Sequence, residues 1–149
     1  MKQIAAGRRI VVGVDGSAAS VAGLRWADRE ARLRGTELHA VYAWDEAGRH
    51  HAPYAATSGV TSPGEGRAAA ASLLSASVRA AFGRTPPAAL CTELAEGHPE
   101  RVLLDRAAGA ELLVLGSTTQ SSRLPPEASP VHRACLRSAP CPVVIVAGR

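Results

Sequence analysis

The residues with chemistry to offer fall into a few clusters. Val14-Asp15-Gly16-Ser17 closes an apolar run with a carboxylate and a hydroxyl. Such a carboxylate accepts a hydrogen bond from a ligand, or it caps the helix that follows, as Ser17 can also do. Gly116-Ser117 closes a second apolar run and opens a loop bearing Thr118, Thr119, Ser121, Ser122, Arg123 and Glu127 before Ser129-Pro130-Val131-His132-Arg133. A strand that ends in Gly-Ser and feeds a helix is a common way to build a phosphate cradle, because helix N-terminal N–H groups and the helix dipole favour an anion. Here hydroxyls and prolines stand where a cradle uses glycines.

The other clusters read more plainly. Glu96-Gly97-His98-Pro99 is a turn into a helix, where His98 is an acid–base candidate or an ordinary loop residue before an N1 proline. His50-His51 lies near Asp45 and Glu46, but no third ligand sits at helical or strand spacing, so no metal site is expected. No Gly-x-Ser-x-Gly elbow occurs, and Ser117 has no visible base. Cys135 and Cys141 are expected to be buried and inert. The run after Asp15 is neither Gly-x-Gly-x-x-Gly nor a Walker A. No catalytic constellation emerges, and the chain is read as a non-enzyme.

Composition narrows the classes. The 149 residues carry a net charge of +4, but the basic residues form no block and aromatics make up only 3%, so nucleic acid is not the expected partner. Three cysteines, Cys91, Cys135 and Cys141, match no zinc spacing and suit a reducing compartment. Lys2, Arg8 and Arg9 precede an apolar run that Asp15 cuts off, too short for a signal peptide. Nothing approaches the roughly 20 apolar residues of a membrane span. The expectation is a cytoplasmic protein with one domain over 1–149.

These groups must be held by strands expected at 9–14, 37–44, 89–93, 111–115 and 142–147. Three of the five are continuously apolar, as parallel strands covered on both faces require. Helices are expected at 17–34, 65–82, from Pro99 to near Gly109, and at 130–138, with Gly35 and Gly83 as stops. Their inward residues would be Val21, Leu24, Ala27 and Ala31; Leu74, Val78 and Ala81; Val102, Leu103 and Ala107; and Val131, Ala134 and Cys135. Residues 45–64 form one long irregular segment. The alternation predicts an α/β fold, a doubly wound, five-stranded parallel sheet with helices on both faces. Ligands of such sheets sit beyond the carboxyl ends of the strands, here the Asp15, Trp44 and Gly116 loops.

In this order and spacing, Ile10-Val-Val-Gly-Val-Asp-Gly-Ser17, Ala-Val-Tyr-Ala-Trp44, Glu96-Gly-His-Pro99, Ala110-Glu-Leu-Leu-Val-Leu-Gly-Ser117 and Cys141-Pro-Val-Val-Ile-Val146 resemble the universal stress protein family almost end to end. The resemblance implies the Rossmann-like fold just inferred. It also implies a homodimer formed by pairing last strands, here 142–147 from Pro142 to Ala147; uncovered, that apolar strand would be an aggregation-prone edge. One branch of the family binds ATP through Gly-x-x-Gly, nine residues, then Gly-Ser/Thr. By resemblance the nucleotide positions are Gly13, Asp15 (adenine or ribose side), Ala43 (adenine, by main chain), Leu115, Gly116, Ser117, Thr119, Ser129, Pro130 and Val131. The signature itself falls on Gly116, Thr119, Ser129 and Pro130, and only Gly116 matches.

Each departure has a consequence. Thr119 brings a Cβ, strained by about 1–2 kcal/mol if its position needs a positive φ. Ser129 adds bulk where a phosphate oxygen approaches, and Pro130 removes a backbone N–H and a hydroxyl. Ser129-Pro130 is instead a good N-cap and N1 pair, with the serine oxygen accepting from the N–H of Val131 or His132. Losing two charge-assisted hydrogen bonds, about 1.5–3 kcal/mol each, weakens ATP binding by about two to four powers of ten. Arg123, His132 and Arg133 could recover part of this or serve another small anion. Three readings stay open: a dimeric stress-response module with weak or absent ATP binding, a regulator that holds a nucleotide through a variant loop, and an adenylating or hydrolysing enzyme, for which Asp15 and Glu127 are thin support.

Overall fold

The computed structural model describes residues 8–45, 63–117 and 129–148. Within them lie β1 (Arg9–Gly13), α1 (Ala18–Arg34), β2 (Glu37–Trp44), α2 (Pro63–Phe82), β3 (Leu90–Glu96), α3 (Pro99–Ala107), β4 (Leu112–Ser117), α4 (Pro130–Ser138) and β5 (Val143–Ala147). The strands form one parallel sheet in the order β3-β2-β1-β4-β5. This is the expected doubly wound arrangement, with its switch point between β1 and β4.

Side-chain alternation along the strands divides the interior into two layers. Ile10, Val12 and Val14 of the first strand and its extension pack with Leu38, Tyr42, Trp44, Leu112 and Val114 beneath Leu24, Ala27 and Ala31 of α1 and Leu74 of α2. Val11, Val41, Leu113 and Leu115 face the other way, against Val102, Leu103 and Ala107 of α3 and Cys135 of α4. Both faces of the central strands are therefore buried, which is why those runs are continuously apolar. Of the expected inward positions, Val21, Val78, Ala81, Val131 and Ala134 are only half-buried.

Local chemistry sets the ends of α1. Ser17 is its N-cap, its hydroxyl accepting from Ser20 N, and Gly35 ends it in the left-handed region at φ 65°. Some strand ends differ from expectation. β3 runs to Glu96 rather than 93, and β4 to Ser117 rather than 115, because Trp44↔Glu96 and Ser117↔Ala147 still pair. Glu96 thus belongs to a strand, and the turn into α3 begins at Gly97, φ 140°. Helix α2 starts at Pro63, so Gly64 is helical; residues 46–62 of the expected irregular segment, with His50 and His51, lie outside the described residues. Among the described residues, no helix is long and apolar enough to cross a membrane.

Candidate functional site

The carboxyl ends of β1, β2 and β4 meet where β1 turns away. Gly16, φ 84°, makes that turn. Oδ1 of Asp15 accepts from the main-chain N of Ser17 at 2.9 Å and from the Ser17 hydroxyl. The Ser17 oxygen in turn accepts from Ser20 N at 3.1 Å. The capping expectation for this turn is met by Ser17, which Asp15 holds in place. The Asp15 side remains exposed, so its carboxylate still fronts solvent.

β2 offers its main chain to the same place. Val41 O accepts from Val14 N at 2.9 Å, toward β1, whereas Trp44 O accepts from Gly97 N at 2.7 Å, toward β3. A strand residue points its N–H and C=O to one side, alternating along the chain. Ala43 therefore turns both groups toward the β1 side, where β1 has already bent away at Asp15. Gly13, Ala43 and Leu115 share the α3–α4 face, and a Cβ at Gly13 would stand 2.9 Å from the Leu115 side chain. Leu115 is itself buried in that core.

Gly116 packs directly against helix α1. A Cβ there would lie 2.3 Å from the carbonyl carbon and oxygen of Ala19 and 2.6 Å from Ser20 N. The space on that side of the strand is filled by the first turn of α1. Gly148, whose N–H donates to Ser117 O at 2.9 Å, presses on the same turn, its Cβ position 2.6 Å from Ala19 Cα. Two glycines thus pinch α1 against the sheet beside the cleft.

On the far side of the cleft, Ser129 is the N-cap of α4 and Pro130 its first helical residue. The Ser129 oxygen accepts from His132 N at 3.2 Å, which selects one of the two donors expected. A feature not legible in the sequence completes the arrangement: His132 Nε2 lies 2.8 Å from Gly116 O. A carbonyl only accepts, so Nε2 carries the proton and donates. In the neutral ring Nδ1 then accepts from the Ser129 hydroxyl. His132 in this way ties the end of β4 directly to the start of α4. Thr119, with the rest of residues 118–128, lies outside the described residues. His98 is exposed at the N-cap of α3.

Burial disfavours the thiolate at both cysteines near α4. Cys135 is fully buried, and desolvation, with smaller contributions from Glu100 and Cys141, pushes its thiol up to about 11. Burial also raises Cys141, which is half-buried rather than buried, against the opposing charge of Arg9.

The sequence profile of the universal stress protein family matches residues 7–147. The chain belongs to that family. A universal stress protein of Mycobacterium tuberculosis (strain ATCC 25618 / H37Rv) is 31% identical over 140 residues, covering 92% of this chain and 47% of that protein. The chain thus spans about half the length of the curated relatives it matches. Among solved structures, universal stress protein UspA from Lactobacillus plantarum is 26% identical with a TM-score of 0.60, over 93% of this chain and 97% of that one. A universal stress protein solved in complex with cAMP is 20% identical with a TM-score of 0.61, over 95% and 98% of the two chains, a likeness of fold.

Proposed function

We propose that the chain is a stress-response regulatory module rather than an enzyme, cytoplasmic and homodimeric, with weak or absent binding of ATP. The observation that carries the ligand reading is the Ser129–His132–Gly116 tie. Phosphates in a cradle of this kind take the free N–H groups at the start of the helix. Here Pro130 has no N–H, and the N–H of His132 is already bonded to Ser129. The helix is capped by its own side chain, and two of the positions aligned with the signature, Gly116 and Ser129, are joined through His132. Isothermal titration of the full chain with Mg·ATP is expected to give a Kd of about millimolar or weaker. Micromolar binding would overturn this reading.

A second reading, a regulator that retains an adenine nucleotide, draws on different observations. The Asp15 carboxylate is exposed, the Ala43 main chain faces the cleft, and the solved complex with cAMP shares the fold. Adenosine and cAMP belong in the same titration, since they test the base and ribose half without three phosphates. If they bind at least tenfold more tightly than Mg·ATP, the adenine side is intact and only the phosphate grip is lost. Other small anions remain candidates for the same helix end.

The homodimer reading rests on β5. This strand pairs with β4 on one side and is an edge on the other. Ile145 is 39% exposed, and Leu136 of α4, on the same side of the sheet, is 58% exposed. An apolar edge of this kind is a liability unless another strand covers it. Ile145→Asp is expected to convert a dimer to a monomer, read by sedimentation equilibrium. Burying an unpaired carboxylate costs about 3 kcal/mol or more, about 100-fold in the dimer Kd. A wild-type chain that sediments as a monomer at high micromolar concentration would refute the homodimer.

A further inference from the structure

A second polar cluster lies near the opposite end of β2, away from the cleft. Glu37 and His39 are two residues apart on one strand and so share a face. His39 stands in register with Cys91 on β3, an edge strand. One ligand atom from each of Glu37, His39 and Cys91 lies within 4.8 Å of the other two. His39 Nε2 and Glu37 Oε2 share a hydrogen bond of 2.8 Å. Glu93, two positions beyond Cys91, is held by Arg106 through both carboxylate oxygens at 2.8–3.0 Å, so it stands by as a fixed neighbouring charge.

An ordinary ion pair accounts for Glu37 and His39 but not for the thiol beside them. Cysteine is among the residues most often buried, yet Cys91 is exposed. Thiolate, imidazole and carboxylate together form the donor set of borderline-soft divalent ions, not of magnesium or calcium. An ion about 2.0 Å from nitrogen and oxygen and about 2.3 Å from sulfur needs ligand separations of about 3.3–3.7 Å. Adjustments of about an ångström at three partly exposed side chains reach these values.

We propose that Glu37, His39 and Cys91 form a binding site for a zinc-class divalent ion, with water completing the tetrahedron. The ion takes the place of the proton between His39 and Glu37, the neutral ring then carrying its proton on Nδ1, and the Cys91 thiol gives its proton to solvent on binding. With three protein ligands and one open position at a sheet edge, the site accepts an exchangeable fourth ligand. It is independent of the nucleotide cleft and of whether that cleft is occupied.

The test is a Co2+ titration of the reduced full chain, followed by thiolate-to-cobalt charge-transfer absorption and back-titration with Zn2+. One Co2+ per chain is expected, displaced by Zn2+. Cys91→Ser should remove the band and weaken binding at least 100-fold, and His39→Gln and Glu37→Gln at least tenfold each. Cys141→Ser and the double variant His50→Gln, His51→Gln should keep the band. In the unmodified chain, saturating Zn2+ should slow alkylation of Cys91 at least tenfold, read by peptide mass mapping, a measurement independent of any variant's folding. No charge-transfer band, a band that survives Cys91→Ser, or an unchanged alkylation rate would each overturn the proposal.

Discussion

Gly116→Ala is expected to destabilise the fold by about 3 kcal/mol, a large effect for one methyl group. Gly116 is not among the glycines with positive φ, so backbone conformation contributes no strain. The cost is steric. The added carbon would meet the main chain of Ala19 and Ser20 at 2.3–2.6 Å, and main chain cannot rotate away as a side-chain tip can. Relief requires moving the first turn of α1 by about an ångström, against the Ser17 cap and against Gly148 pressing on the same turn. Gly23 of α1 also sits close to Gly116, its own Cβ position 3.8 Å from Gly116 N, so the helix has little room to slide. At about 2–4 °C per kcal/mol for a chain of this size, the melting temperature should fall by about 6–12 °C. Gly35→Ala supplies the comparison. Its φ is 65° with nothing within 4 Å, so only left-handed strain of about 1 kcal/mol remains, or about 2–4 °C. Circular-dichroism melts of the two variants distinguish packing from conformation. Equal melting of Gly116→Ala and wild type would refute the close approach.

The same glycine shows how far the sequence could be read. The resemblance singled it out as a signature position, but its packing against α1 was not legible, because nothing in a linear pattern shows that α1 returns to lie against β4. The alternation of elements was legible because strands covered on both faces must be continuously apolar, as Ile10, Val11 and Val12 are. The last residues of β3 and β4 were not: Glu96, Gly116 and Ser117 carry no apolar signal and are strand only through their neighbours. The capping role of Ser129 followed from its neighbour Pro130, a local rule. The bond from His132 to Gly116 spans 16 positions and depends on how α4 docks, so a histidine in a first turn gave no warning of it. Glu37-x-His39 is a same-face pair by strand spacing alone. Cys91 joins them only through the register of β2 and β3.

A chain carrying Thr119→Gly, Ser129→Gly and Pro130→Ser is expected to bind Mg·ATP at least tenfold more tightly than wild type. The exchange at 129 frees the His132 N–H now bonded to Ser129. The exchange at 130 restores one N–H and one hydroxyl at the positive end of the α4 dipole. Two recovered charge-assisted bonds of about 1.5–3 kcal/mol each set a ceiling of about two to four powers of ten. Tenfold is the floor, because two added glycines make the loop costlier to order. The fold should survive, since replacing an N-cap serine by glycine costs only a few tenths of a kcal/mol. His132 also keeps its Nε2 bond to Gly116 in this variant, so α4 stays anchored to β4. That bond identifies the next obstacle if no gain appears. Adding His132→Asn to the three changes removes the tie between strand end and helix start. A gain that appears only then would place the barrier in the closed cleft rather than in the missing donors. Failure of both variants would mean that self-capping is not what keeps ATP out, and the nucleotide reading of this loop would have to be abandoned.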